Sequence, residues 1–290
     1  MSEKYLSENQ AQILMASLIL ARSTSYVMTK IALNELAVFN LLGLRFLIAF
    51  LLLLPFTWKK LKTISCKTLI RGVILGAIAS MVMAAEVTGL KTADASTAAF
   101  LENTAVIFVP IFEAIIKRRL PRKIEAISAI IAMIGIALLT LKGGTFNPSI
   151  GELFCLSAAI LYAFAIIITD RLSHEDNPLI IGILQVFFMG IFSMVLSVAA
   201  ESTSIPQLGK TWYAIIALTI ICTCFGFTLQ PMAQSRLTAE RASLFCAIGP
   251  VGGALAGWIF LGETINIAGF WGMALIILGV ILTTFQKKLP

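Results

Sequence analysis

The chain has 290 residues, of which 59% are apolar and only 13% charged; its mean hydropathy is +0.95. Soluble domains carry about 25% charged residues, so this composition excludes a soluble globular protein and points to an integral membrane chain. The net charge of +7 raises nucleic acid as a partner, an idea that the placement of the basic residues removes below.

Residues 1–10 are polar and contain two acids. They lack the basic stretch and cleavage site of a signal peptide, so the first hydrophobic segment is expected to stay as a span. A spanning helix needs about 20 mostly apolar residues. Ten stretches satisfy this: 12–33, 38–58, 68–90, 94–117, 124–142, 151–171, 178–200, 211–234, 239–261 and 266–286. The connections are short, and turn chemistry is confined to 59–67, 143–150 (with Asn147-Pro148) and 201–210.

The last stretches repeat the layout of earlier ones. An offset of 144 sets Ala242 on Ala98, Leu244 on Phe100, Pro250 on Val106, Gly279 on Gly135 and Thr284 on Thr140. Upstream, an offset of 140 sets Ser157 on Ser17, Tyr162 on Arg22, Thr169 on Thr29 and Gln185 on Arg45. The expected fold is therefore all-α, ten transmembrane helices in two five-helix repeats, 1–145 and 146–290. If the N-terminus is inside, sixteen Lys and Arg fall in inner segments, among them Lys59, Lys60, Arg71, Lys117, Arg118, Arg119, Arg171, Lys287 and Lys288. Only Lys91, Lys142 and Lys210 fall outside. Both termini are thus expected in the cytoplasm of a cell whose plasma or inner membrane holds the chain, and the basic residues serve orientation rather than nucleic acid. An odd number of helices per repeat inverts the second copy, an architecture that places a central site between the halves of secondary transporters.

Small residues at Gly249, Gly253 and Gly257, and more weakly at Gly72 and Gly76, read as close helix packing. Read as a nucleotide loop, Gly249-Pro250-Val251-Gly252-Gly253 fails, for want of a preceding strand and a following Gly-Lys-Ser/Thr. The five cysteines act mostly as small hydrophobes. His174, beside Glu175 and Asp176, reads as a solvated residue of the loop between the sixth and seventh spans. No metal-ligand spacing, cofactor motif, Walker loop or Gly-x-Ser-x-Gly occurs. The residues therefore favour neither an enzyme nor an ATP-driven pump.

The set of stretches, taken in order, resembles the ten-helix EamA-like family of the drug/metabolite transporter superfamily. Arg22-Ser23-Thr24-Ser25-Tyr26 with Lys30 stands where the family has a Trp-Gly-Ser-Ser/Asn-Phe core followed by Lys. Leu44-Arg45-Phe46-Leu47-Ile48-Ala49 and Gly89-Leu90-Lys91-Thr92-Ala93-Asp94-Ala95 follow the family pattern, as do Pro250 and Leu261-Gly262-Glu263. Three positions depart from it: Arg22 replaces an aromatic residue, Val106 a proline, and Arg118-Arg119-Leu120-Pro121 a Gly-Glu pair. The resemblance implies export or exchange of a small metabolite, such as an amino acid, by alternating access. A multidrug or cationic-compound exporter of the same superfamily is the alternative, and an intramembrane lipid-modifying enzyme a distant one.

Substrate has to be argued from the charges within the spans, since each costs roughly 2.5–3.5 kcal/mol to insert. Arg22, Arg45, Glu86 and Glu102 all fall between the midplane and the outer face on the expected topology. One reading pairs these four charges with one another for structure alone. The other makes them a substrate site, with Tyr26 and Asn103 extending it and Tyr162, Gln185 and Gln230 answering from the second copy, where Cys246 stands opposite Glu102. A cavity with both signs suits an amphoteric solute, and Phe188 and Phe225 are the aromatic candidates for its wall. Glu86 and Glu102 are candidates for a coupling proton. A channel is disfavoured by the apolar inner stretches Ile13–Leu20 and Phe50–Pro55, which fit a closed inner gate. The expected partners are a small-molecule substrate and the lipid bilayer, with oligomeric state, homo-oligomers included, left open.

Overall fold

The structure, a computed structural model, describes residues 6–93, 95–118, 120–140, 149–201, 203–207, 209–261 and 267–284. Arg119, the junction at 141–148, Gly262-Glu263 and Lys287-Lys288 lie outside the described residues. Among the described residues the regular structure is entirely helical: α1 (Glu8–Arg22), α2 (Ser25–Leu33), α3 (Val38–Leu61), α4 (Cys66–Gly89), α5 (Ala95–Asn103), α6 (Ala105–Lys117), α7 (Lys123–Thr140), α8 (Ile150–Glu175), α9 (Pro178–Ala200), α10 (Gly209–Ala217), a π-helical segment (Leu218–Phe227), α11 (Thr228–Gln234), α12 (Ala239–Cys246), α13 (Gly249–Leu261) and α14 (Ile267–Thr284).

Helix starts follow local side-chain chemistry. Ser7 and Gln10 cap α1 reciprocally, as Ser149 and Glu152 cap α8. Asn177 Oδ1 accepts from the backbone of Leu179 and Ile180 just ahead of α9, whose first residue is Pro178.

Among the described residues six stretches are long and apolar enough to cross a membrane: Val38–Leu61, Cys66–Gly89, Thr97–Lys117, Ile150–Glu175, Pro178–Ala200 and Gly209–Gln234. Leu51, Ile70, Met81, Ile115, Val195 and Ile216 stand exposed on them. Apolar side chains turned outward along such helices give the bundle the surface that lipid requires. This is a multi-pass membrane protein.

Several expected spans are interrupted. The first stops at Ser23 and Thr24, whose hydroxyls donate to the carbonyls of Leu20 and Ala21 at 2.6 and 3.0 Å and so compete with the helical ladder. Within the fourth, Thr104 Oγ1 donates to Leu101 O at 2.5 Å, and α5 ends. Within the ninth, Ala247 and Ile248 tighten to three-residue bonds ahead of Pro250, which has no N–H to continue the ladder. The eighth runs through its interruption as a wide π-turn. There the hydroxyls of Thr223 and Thr228 donate to carbonyls five residues back.

In the bundle α7 packs along α14, α3 along α9, and α4 along α8 and α9. A Cβ on Gly135 would lie 2.6 Å from Gly272 O, so the backbones of α7 and α14 touch there. The glycine expectation holds at Gly72 and Gly76, where a Cβ would lie 2.5 Å from Leu184 Cβ and closer still to Phe188 Cβ, respectively, and needs correction in the ninth span. A Cβ on Gly249 or Gly253 would meet only ordinary contacts, while the tight residue is Gly252, 2.5 Å from Ser23 Oγ. The interruption of α12 before Gly249 shifts the face that α13 turns to α1.

One end of the bundle carries a chain of ion pairs. Arg71 of α4 bonds Glu175, and Asp176 at 2.5 Å. Lys117 pairs with Glu113 of its own helix and reaches Glu240 of α12 at 3.5 Å. Arg171 lies 3.8 Å from Glu113, and Arg241 bonds Glu8. His174 belongs to the last turn of α8 rather than to a loop, with Nδ1 2.7 Å from Asp170 O. At the other end the ties are hydrogen bonds, with Asn40 donating to Glu201 at 3.0 Å and to Ser204 O at 2.8 Å.

Candidate functional site

Two adjoining cavities occupy the middle of the bundle. The first leaves about 40 Å³ for the centres of water-sized bodies and is lined by Arg22, Tyr26, Arg45, Glu86, Glu102, Asn103 and Tyr162 among others. The second leaves about 20 Å³ and is lined by Gln185, Gln230, Thr169 and small apolar side chains. Arg22, Met83, Tyr162 and Phe227 line both. All nine residues singled out in the sequence therefore fall on these two cavities.

The interruptions explain why polar side chains converge here. Arg22 is the last residue of α1, Glu102 and Asn103 close α5, and Cys246 closes α12. Ser23, Ser25 and Gly249, just beyond these breaks, also line the first cavity. Irregular backbone is tolerated at membrane depth where it borders a polar cavity or is buried in protein.

Arg22 spends one end of its guanidinium on the protein. Nη1 donates to Gln230 Oε1 at 2.7 Å and to Tyr162 Oη at 3.2 Å. Nε and Nη2 have no hydrogen bond to a described residue. Cζ lies 4.0 Å from the centroid of the Phe227 ring. The aliphatic stem passes where a Cβ on Gly226 would be only 2.6 Å from Arg22 Cγ, so that close approach needs glycine. Tyr162 Oη is shared further, lying 3.3 Å from Cys246 Sγ and accepting from Gln230 Nε2 at 3.4 Å.

Arg45 is 2% exposed. Its Nε donates to Thr223 Oγ1 at 2.7 Å, while Nη2 is buried without a partner. Tyr26 donates to Glu102, and Glu86 Oε2 has no partner. Asn103 turns its amide back to Ala99 O at 2.8 Å. Gln185 is buried, with Oε1 unpartnered.

The reading in which the four charges simply pair is not what the structure shows. Among the described residues no ion pair within 4.0 Å joins Arg22 or Arg45 to Glu86 or Glu102. Both arginines are held by neutral oxygens and aromatic faces instead. Lys30, one turn beyond Tyr26 on α2, lines neither cavity. The aromatic wall is Phe227 rather than Phe188 or Phe225. Among the described residues no group of three or more His, Cys, Asp or Glu could hold a metal ion.

A polar, doubly charged cavity enclosed by membrane-length helices defines a class of protein, the membrane transporters. The model described as the EamA-like transporter family matches residues 10–141 and again 149–285, and the chain belongs to that family, within the drug/metabolite transporter superfamily. It is 24% identical to an uncharacterized transporter of Archaeoglobus fulgidus, covering 96% of this chain and 99% of that one. It is 23% identical to the uncharacterized transporter YetK of Bacillus subtilis (97% and 88% covered). To the uncharacterized inner membrane transporter YedA of Escherichia coli K12 it is also 23% identical (92% and 88% covered). A solved crystal structure aligns with a TM-score of 0.78 at 18% identity, covering 96% of this chain and 97% of the other, a likeness of fold.

Proposed function

We propose that the chain is a secondary carrier that exports or exchanges a small amphoteric solute, such as an amino acid, by alternating access. The observation that carries this reading is the free Nε–Nη2 edge of Arg22. A guanidinium edge meets a carboxylate through two parallel hydrogen bonds, and Arg22 lines a cavity that also holds Glu86 and Glu102 for a cationic group. Arg45, Tyr26, Asn103, Tyr162, Gln185 and Gln230 complete the site. Uptake by proteoliposomes of zwitterionic, cationic and anionic metabolites tests it. Saturable uptake of zwitterions supports the reading, and a preference for lipophilic cations replaces it with a cation exporter.

The same reading takes the chain as ten spans in two inverted repeats, divided near residue 145, with both termini cytoplasmic. The double family match supports the division. So does the spacing of two interruptions, since Thr104 and Ile248 stand at the repeat offset. Packing also fits an exchange of halves: the second span lies along the seventh and the fifth along the tenth, each with its own counterpart. The third lies along the sixth as the eighth lies along the first. On this topology the ion-paired end faces the cytoplasm and acts as the closed inner gate.

Coupling to a proton runs through Arg22 in this scheme. A substrate carboxylate on Arg22 neutralises the positive field at Glu102, the carboxylate that accepts from Tyr26, so that Glu102 takes up a proton as the solute binds and gives it back as the solute leaves. Substrate and proton thereby influence each other at one site.

A further inference from the structure

We propose that Phe227 is a positioning residue of this carrier: its ring holds the guanidinium groups of Arg22 and Arg45 where they meet the acid group of the solute. The inference rests on the proposed transport of an acid-bearing amphoteric solute and adds a specificity-determining side chain to that site.

Phe227 is the ring that both arginines of the cavities share. Arg22 Cζ lies 4.0 Å from its ring centroid and Arg45 Cζ 5.6 Å. Phe46 meets the same ring edge-on at 5.8 Å and 88°, and itself lies 5.1 Å from Arg45 Cζ. The ring is thereby fixed by Phe46 and in turn fixes two cations. The ring is 5% exposed and lines both cavities.

A negatively polarised ring face attracts a cation most strongly where water is excluded. Against that face the Arg22 guanidinium, anchored at Nη1 by Gln230 and Tyr162, loses its remaining rotation. Its free edge then points one way before any solute arrives. Such pre-organisation raises affinity by removing an ordering cost that binding would otherwise carry.

The ring reaches this position through the π-helical segment. Bonds between residues five apart turn each residue through less than the 100° of an α-helix. Over the ten residues Leu218–Phe227 the phase lags by about half a turn. The wider winding brings Phe227 to the cavities and leaves Phe225 38% exposed.

The test uses the purified full-length chain in proteoliposomes with tritiated alanine, serine and glutamine as probes. For a probe that the parent takes up saturably, Phe227→Leu, which keeps apolar bulk but not the ring face, is expected to raise KM roughly two- to thirtyfold with Vmax unchanged. Phe227→Tyr restores the parental KM, and Phe227→Met serves if the leucine variant does not fold. In an Arg22→Gln background Phe227→Leu adds a smaller rise than in the parent, because the Arg22 part of its effect is already gone and only the Arg45 part remains. An unchanged KM in the leucine and methionine variants, an equal defect in the tyrosine variant, or additivity with Arg22→Gln overturns the inference while leaving the proposed function standing. If the parent takes up none of the three zwitterions, the proposed function fails and this inference falls with it.

Discussion

Replacing Arg22 by glutamine separates a binding role from a structural one. Arg22 makes two hydrogen bonds to neutral partners through Nη1, and a glutamine amide still offers donors to Gln230 and Tyr162. Loss of one such bond from a charged donor costs about 1.5–3 kcal/mol, offset by removal of a half-buried cation whose desolvation was costly. Folding should therefore change little. Binding loses a two-pronged, charge-assisted contact, and truncating one partner of a desolvated charge pair costs about 2–4 kcal/mol. That corresponds to roughly 30- to 700-fold in affinity for an acid-bearing solute. The assay is KM for alanine, serine and glutamine in proteoliposomes, with the unfolding temperature in detergent measured on the same preparation. A KM within threefold of the parent refutes the assignment of Arg22 to the solute's acid group. So does a loss of transport matched by an equal loss of folded protein, which would make Arg22 a structural residue.

Other expectations follow from neighbouring observations. Glu102→Gln should abolish the response of transport to an imposed pH gradient while counterflow at equal pH persists; an unaltered response would move coupling elsewhere. Gly135→Ala should destabilise the fold by roughly 1–3 kcal/mol, read from detergent unfolding, because the new Cβ meets Gly272 O at 2.6 Å. Gly209→Ala, with nothing within 4 Å, is the neutral control. In a background with the exposed Cys66 changed to serine, a membrane-impermeant maleimide applied to intact cells should label Lys210→Cys but not Ser7→Cys. The reverse pattern would invert the proposed topology.

Membrane character and the polar residues of the cavities are legible in the sequence for a single reason. In a chain this apolar, an Arg or Glu within a span costs too much to be there without a use, so Arg22, Arg45, Glu86 and Glu102 stand out. Phe227 and Met83 carry no such signal, since an apolar side chain in an apolar helix looks the same whether it faces lipid or a cavity. The π-turn deepens the difficulty by changing the phase of the eighth span, so that Phe227 rather than Phe225 lines the cavities. The interruptions were visible only as isolated hydroxyls. Ser23, Thr24 and Thr104 are also common within continuous membrane helices, and it is their bonds to carbonyls three residues back that stop the ladder. Gly252 was hidden for a related reason, because the register of Gly249 and Gly253 assumes an unbroken ninth span.

The interruptions also decide how the bundle can flex. A continuous rod such as α3 or α9 transmits displacement as a strut, whereas an interrupted rod is two levers joined at a pivot, and here the pivots border the cavity. The thirteen residues of α13 make an arm about 20 Å long. A 10° change of angle at Ala247–Ile248 therefore carries the far end by about 3 Å, roughly the size of a water molecule. In the proposed carrier, work done by a bound solute at the cavity would be geared up toward the membrane surface, with the uninterrupted helices as the frame against which those arms turn.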